Sequence, residues 1–434
     1  MRAGHSTARL PAILPVVIGN LVPIVGVLVL GWSPAAVLLI YQAELAAICV
    51  WALLKIPFAH KRPNNAVSDR SYLFGPLQHK RGSVAMPGPF PPVYPRNVPI
   101  LVVAVFLTPF VVGLAFVVFA LTRPEVTDSV AAAFLLGGGT VFFSRGVDTW
   151  REFFRGEKYK DHSPRSVLLT PFKYVFVVGI LFVVFFGVES VSETSEILGS
   201  ERAVLLLAVG KLGYDVRIHR LKRDDNRRGV FAKLYGSEKT EITPKPVESP
   251  NHQPIRHVSM RRRVALLDAL AHGLLYGFGS RGIFAWGIIG LGLLARSTTI
   301  VLGGLAVGGF FAALRAGARY VRYGTLEYRC YEDVLVAYDR LLDEPQARME
   351  ANAVTDATIS TGRLDRLFGT TTLRFEVLSE DEGADRQMFV PDPGEIDTED
   401  DANESEPLRL PHLDAPRQIT HTLSLPGHIE ISES

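Results

Sequence analysis

Residues 98–121 read VPILVVAVFLTPFVVGLAFVVFAL, a run with no charged side chain. A helix needs about 20 mostly apolar residues to cross the hydrocarbon core of a bilayer. This stretch therefore predicts a transmembrane span, and with it a helical membrane fold. Working outward, Pro11–Trp32 and Pro34–Ile56 precede it with the same character. Val130–Phe143, reaching Asp128 and Arg145 at its ends, follows; it is shorter and Gly-rich. Val167–Val188 is strongly apolar, and Arg202–His219 is less so, with Lys211 and Asp215 inside. Ile283–Ala295 and Thr298–Ala318 are separated only by Arg296 and Ser297, which reads as a tight hairpin. The expectation is eight spans. The first has full span length and seven follow it, so it is expected to stay uncleaved despite Arg2 and Arg9 at its start.

Charge placement orients these spans. With the N-terminus cytoplasmic, segments 1–10, 58–97, 145–165 and 217–263 hold 2, 6, 6 and 13 Lys+Arg, or 27 in all. The opposite turns at 31–34, 122–128, 188–202 and 296–299 hold 0, 1, 1 and 1, or 3. Basic loops stay in the cytoplasm, so both termini are expected there, in a multi-pass protein of the cytoplasmic membrane. Mean hydropathy is +0.20 and charged residues are 21% of the chain, below the roughly 25% of soluble domains. Those values exclude a disordered chain and weigh against an ordinary soluble enzyme. They also conceal a division. Residues 324–434 hold 25 Asp+Glu and 9 Lys+Arg, so they carry 9 − 25 = −16; the remainder carries 37 − 19 = +18. With an acidic back and no Lys beyond Lys245, the composition hints at an archaeal or halophilic source. Cys49 and Cys330 are too far apart in the chain to suggest a disulfide framework or a metal motif.

The domain reading follows. Residues 10–223 form a six-span membrane domain and 224–258 a flexible linker. Residues 259–320 hold an interfacial helix and a two-span hairpin. The interfacial helix is Ser259–Leu275, whose Val264, Leu267, Leu270 and Leu274 recur at helical spacing. The 58–97 loop is rich in Pro and Gly and reads as a semi-rigid spacer. From Thr325 onward β-branched and aromatic residues alternate in part, which predicts a small antiparallel β domain over 324–425. Its parts are TLEYRC, DVLVAYDRLL, VTDATI and TTLRFEVLS, with GRLDRLFG as a short turn or helical piece. An acidic insertion, 380–406, is expected to be disordered. Leu408–Leu413 and Ala415–Leu425 then close the domain as strand and helix.

The sequence contains no P-loop, GxSxG, HExxH, CxxC or dinucleotide fingerprint. No catalytic residue, metal or cofactor is expected, and the basic loops are explained by orientation rather than by nucleic acid. Gly137–Gly139 lies within a span and suits close helix packing. The informative residues are ionisable groups at membrane depth, which are costly there. Glu44 lies ten residues into the second span and Lys211 nine into the sixth. Both spans start at the outer face, so both residues sit at about 14–15 Å depth and are candidates for a buried pair. Asp215 and His219 follow Lys211 at i+4 and i+8, one stripe along the helix. Asn20 and Tyr41 are placed to join it. Arg145 and Lys173 stand near cytoplasmic ends and are expected to snorkel. The stripe reads either as a brace that fixes packing or as a proton, ion or substrate path.

Two resemblances rest on these residues. Residues 10–223 resemble the uncharacterised prokaryotic membrane family DUF6498. The likeness lies in Asn20-x-x-Pro23, Tyr41-x-x-Glu44, REFFRGEKY at Arg151–Tyr159, Thr170-Pro171-Phe172 and Lys211-x-x-x-Asp215-x-x-x-His219; Gln42 departs from an expected aromatic. That family implies architecture and no activity. Residues 260–425 are similar to bacterial pleckstrin-homology-like domains that follow a two-span hairpin, through RYVRYGTLEY (Arg319–Tyr328), DVLVAYDRLL and DRLFGTTTLRF (Asp365–Phe375). This second likeness implies a small β-barrel or sandwich at a membrane; the −16 charge argues against a phosphoinositide pocket. The expected function is non-enzymatic assembly or regulation at the membrane, with lipid bilayer and a protein partner of the β domain as contacts. The alternative is a transporter or channel that uses the polar stripe.

Overall fold

The computed structural model describes residues 14–63, 77, 80–121, 127–187, 201–221, 241–242, 246–279, 282–377, 408–423, 425 and 431–433. The chain divides into two compact units: 1–69, 86–93 and 100–243, and then 70–85, 94–99 and 244–434. The expected acidic insertion at 380–406 lies outside the described residues.

The first unit is helical: α1 (Leu14–Leu30), α2 (Pro34–Lys55), α3 (Val98–Leu121), α4 (Asp128–Asp148), α5 (Pro164–Gly187) and α6 (Glu201–Leu221). A two-residue antiparallel pairing joins β1 (Arg62–Pro63) to β2 (Glu241–Ile242). Local chemistry sets the boundaries. Gly31, at φ +63°, ends α1 in the left-handed conformation that glycine adopts freely. Ser33 then caps α2, its Oγ accepting from the Ala36 N–H at 3.3 Å, and Pro34 opens the helix. α2 packs on α4 through small residues. A Cβ at Gly137 would lie 2.8 Å from Ile40, and one at Gly138 would lie 2.8 Å from Ala43. Gly139 meets nothing within 4 Å, so two glycines of the three serve the packing role. Beyond α4, a π-helical turn, Thr149–Phe154, carries an aromatic cluster of Trp150, Phe153 and Phe154 with Phe58 and Phe90.

The second unit joins three helices to a β fold. The helices are α7 (Arg262–Phe278), α8 (Ile283–Leu294) and α9 (Thr298–Arg319), with a π-helical turn at Tyr320–Gly324. The sequence reading gives α7 an apolar stripe of Val264, Leu267, Leu270 and Leu274, of which Val264 is buried. In the structure the face turned inward is Ala265, Asp268, Ala269, Gly273 and Gly277, while Leu267, Leu270 and Leu274 stay exposed. Small residues win this face because α9 approaches to backbone distance. A Cβ at Gly273 would lie 2.4 Å from Ala312 O, and one at Gly277 would lie 2.3 Å from Gly308 O. Between α7 and α8 the axis bends by 56°. The Trp286 indole N–H donates to Phe278 O at 2.7 Å there, satisfying a carbonyl at the break.

This packing predicts that Gly277→Val forces α7 from α9 and destabilises the unit by about 1–3 kcal/mol. Gly303, with nothing within 4 Å of its Cβ position, accepts the same change with less than half that loss. Thermal unfolding of the two variants in detergent compares them directly.

Among the described residues two four-stranded sheets form the β fold. One has the order β3-β4-β5-β6, with β3 (Arg256–Ser259), β4 (Leu326–Cys330), β5 (Val334–Asp339) and β6 (Glu344–Glu350), all antiparallel. The other has the order β10-β7-β8-β9, with β7 (Val354–Ser360), β8 (Thr371–Val377), β9 (Leu408–Leu413) and β10 (Ile431–Glu433); only β10 runs parallel to its neighbour. α10 (Arg363–Phe368) links β7 to β8, and α11 (Pro416–Thr422) follows β9. Leu335, Ala337 and Ala347 of the first sheet meet Leu373, Phe375 and Leu410 of the second in one buried core, closed by Ile419 of α11. The strands expected from the sequence are present, as are α10 and α11. Two parts of the reading need correction. Residues 256–258, read as linker, and Ser259, read as the start of the interfacial helix, are β3, because the Ile255 N–H and the following backbone pair with β4. Residues 344–350 (EPQARME), left unassigned by the sequence reading, are β6, although four of their seven side chains are polar.

Among the described residues, five helical segments can cross a membrane by length and composition: Ala35–Phe58, Pro95–Val117, Val130–Phe154, Pro164–Val183 and Thr298–Gly324. The bent pair α7–α8 makes six if it counts as one span. α1, at 17 residues, is a shorter apolar helix, and α6 carries Lys211, Asp215 and Arg217 along its length.

Candidate functional site

Of the stripe expected from depth matching, the described residues are brought together in the helical unit by three helices, and two further helices add an arginine and a tyrosine. α2 presents Tyr41 and Glu44, almost one turn apart; α6 presents Lys211 and Asp215 one turn apart. Lys211 Nζ lies 3.0 Å from Glu44 Oε2. It also donates to Asn20 Oδ1 of α1 at 2.8 Å and to Asp215 Oδ2 at 2.9 Å. An ammonium has three N–H donors, and these acceptors use all three. Asn20 Nδ2 donates to the same Asp215 oxygen at 2.9 Å. Tyr41 takes part through its ring, 5.6 Å from Lys211 Nζ, and through its backbone carbonyl, which accepts from Tyr174 Oη at 3.3 Å. The His219 side chain lies outside the described residues.

Two members were not foreseen. Arg145 of α4 donates to Glu44 Oε1 at 2.6 Å, and Tyr174 of α5 donates to Glu44 Oε2 at 3.0 Å. The expectation that Arg145 only snorkels is corrected. Arg145 follows Gly138 by seven residues, so it lies on the same face of α4. Gly138 is the residue that meets Ala43 of α2, and that contact aims Arg145 at the neighbouring Glu44. The close approach of the two helices was the available signal. Tyr174 had a weaker one, a hydroxyl in the apolar run TPFKYVF.

Two cations, Lys211 and Arg145, thus face two carboxylates, Glu44 and Asp215. The cluster is electrically neutral, and both Glu44 oxygens have donors. Burying a lone charge costs several kcal/mol, whereas a paired and fully hydrogen-bonded set offsets much of that. Exposure grades outward: the Lys211 and Glu44 side chains are 4% and 9% exposed, against 24% for Asp215 and 44% for Arg145.

The second unit holds a different buried pair. Lys80, from the stretch read as a spacer, has a side chain fully shielded from solvent, as does its partner Asp339. Lys80 Nζ pairs with Asp339 Oδ2 and donates to Val321 O at 2.6 Å, in the π turn after α9. Asp339 Oδ1 accepts from the Leu341 and Leu342 N–H groups at 2.7 and 3.0 Å. The next residue exchanges two hydrogen bonds with Gln346 of β6: Arg81 N to Oε1 at 2.8 Å, and Nε2 to Arg81 O at 3.1 Å. Burial pulls the Lys80 pKa down to about 8, against the opposing pull of Asp339. The spacer reading of 58–97 is therefore corrected for residues 80–81: they are built into the β unit. Pro/Gly-rich sequence has no apolar period, so nothing in it revealed that docking. Among the described residues no group of three or more His, Cys, Asp or Glu side chains is placed to hold a metal ion.

Comparison with protein families adds to this geometry. The model of the family of unknown function DUF6498 matches residues 2–230, more than half of the 434. The chain belongs to that family. The DUF6498 segment contains every residue of the Glu44–Lys211 cluster, and Lys80 as well. A bacterial PH domain model matches residues 286–403, which covers α8, α9 and the strands β4 to β8. No curated protein and no solved structure matches the chain.

Proposed function

We propose that this DUF6498 protein is a non-enzymatic, multi-pass membrane protein whose PH-like unit serves assembly or regulation at the cytoplasmic face. Eight spans result when α1, α6 and the broken α7–α8 leg are counted with the five long apolar segments. The 27-to-3 division of basic residues then places both termini in the cytoplasm. The burial of Lys80 beside Asp339 supports the same arrangement, because the loop after the second span must share a side with the β unit. The observation that carries the structural role is the saturation of Lys211: three donors, three acceptors, on three helices. A brace needs such saturation, whereas a conducting path needs a group that is free to exchange partners. The transporter reading is favoured by one observation, the partial exposure of Asp215 and Arg145 at the rim of the cluster.

Topology is tested by single-cysteine labelling in right-side-out vesicles, after replacing Cys49 and Cys330 with serine. Thr194→Cys is expected to react with an impermeant maleimide and Thr240→Cys to be protected. The reverse pattern inverts every span and ends the proposal.

A further inference from the structure

We propose that His412 is a protonation-gated latch that fastens the β unit to helix α7, closed when the ring is a cation. Both ring nitrogens face carboxylates. Nε2 lies 3.0 Å from Asp268 Oδ1 on α7, and Nδ1 lies 2.8 Å from Asp365 Oδ1 on α10. A neutral imidazole has one N–H and one lone pair; a lone pair on Nδ1 can accept from the Thr370 hydroxyl at 3.1 Å, but it then opposes Asp365 and takes that hydroxyl away from it. Only the doubly protonated ring donates to both. The backbone carries the same message. His412 sits at φ +54°, a left-handed conformation that costs a histidine energy, and a side chain held from both sides maintains it.

The surroundings make the ring the deciding group. Its side chain is only 5% exposed. On α7, Asp268 also accepts from Arg319 Nε of α9 at 2.6 Å, and His272 Nδ1 lies 3.0 Å from Asp268 Oδ1. On the α10 side, Asp365 is held by the Thr370 and Thr372 hydroxyls at 3.0 and 2.9 Å and by the Gly362 N–H at 3.1 Å. Arg261, at the start of α7, pairs with Asp414 at 2.7 Å near the surface. With His412 charged, Asp268 and Asp365 are balanced by Arg319 and the imidazolium. Without the proton, the buried set carries an excess negative charge and one opposed lone pair.

Burial alone would lower the His412 pKa, but the hydrogen bonds and charges of Asp268 and Asp365 prevail and raise it above the ordinary histidine value. A raised folded-state pKa contributes stability that is fully present below the unfolded value. It is lost as pH rises through the folded one. The latch is therefore closed in acid and loosens on alkalinisation, which would couple the PH-like unit to proton concentration on its side of the membrane.

The test is hydrogen–deuterium exchange on the full chain in lipid nanodiscs, from about pH 6 to about pH 9, with intrinsic exchange rates divided out. Protection of peptides 363–372 and 408–413 is expected to fall at least about tenfold across that range. His412→Asn, which suits a left-handed backbone, is expected to show no step, while His272→Asn retains it. Ring titration by NMR gives a second readout, since the chain has 11 histidines and the resonance lost in His412→Asn identifies the site. Unchanged wild-type protection, a step that survives His412→Asn, or a ring neutral throughout overturns the proposal. If the variant does not fold, the wild-type exchange profile is read beside that of the Lys80→Met, Asp339→Asn double variant, because Lys80 also titrates within this range: a step in both upholds the latch, and a step lost with Lys80, or a flat wild-type profile, ends it.

Discussion

Replacing Lys80 by methionine is expected to destabilise the second unit by about 3–5 kcal/mol, the range for breaking a buried ion pair from one side. Methionine fills similar space but leaves the Asp339 carboxylate without its cation, in a site where both side chains are fully shielded. It also leaves Val321 O without the ammonium that caps it at 2.6 Å. That carbonyl belongs to the last turn after α9, where helix carbonyls concentrate partial negative charge and favour a cation. Adding Asp339→Asn removes the stranded charge and is expected to recover part of the loss. Recovery stays incomplete, because Asp339 Oδ1 also accepts from two backbone N–H groups. Thermal unfolding and protease resistance of the full chain in detergent measure all three proteins. A Lys80→Met effect below about 0.5 kcal/mol, the scale of an ordinary surface change, would contradict the assignment.

The second large effect is expected at the helical cluster. Lys211→Gln leaves Glu44 with Arg145 and Tyr174 but strips Asp215 of its cation; Glu44→Gln leaves Arg145 and Lys211 with Asp215 alone. Each single change is expected to cost about 3–5 kcal/mol. The double change leaves Arg145 and Asp215, one of each sign, and is expected to cost less than the sum of the two. A double-mutant cycle on melting in detergent isolates that coupling. Strict additivity would mean that the 3.0 Å contact carries no energy, and would shift weight to a transport path. Arg145→Gln is a useful companion, since its half-exposed side chain implies a smaller loss than Lys211→Gln.

The difference between what the sequence announced and what it withheld has a physical cause. A run such as Val98–Leu121 declares itself, because a membrane demands an uninterrupted apolar stretch. Glu44 and Lys211 were legible together because helix rise converts residue offset into depth. Rotation about the helix axis is not encoded that way, so Arg145 looked like an end residue free to reach water. The strands of the β unit announced themselves through Val, Thr, Tyr and Phe, whereas β6, with Glu344, Gln346, Arg348 and Glu350, is held by pairing to β5 rather than by its own propensity. Lys80 and His412 were the least legible. Their partners, Asp339 on one hand and Asp268 with Asp365 on the other, are fixed by tertiary contact between segments far apart in the chain.

Lys80 has a bearing on how the protein is made. A ribosome delivers this lysine more than two hundred residues before Asp339, so for most of translation its ammonium waits in water. Proteins whose contacts join distant segments fold slowly and late, and this pair closes only after α7, α8 and α9 have been made. A gene fragment that begins at the PH-like match would express a module with one of its own buried parts left behind on another polypeptide. Co-expression of the two halves, rather than either half alone, is the natural starting point for producing it in pieces.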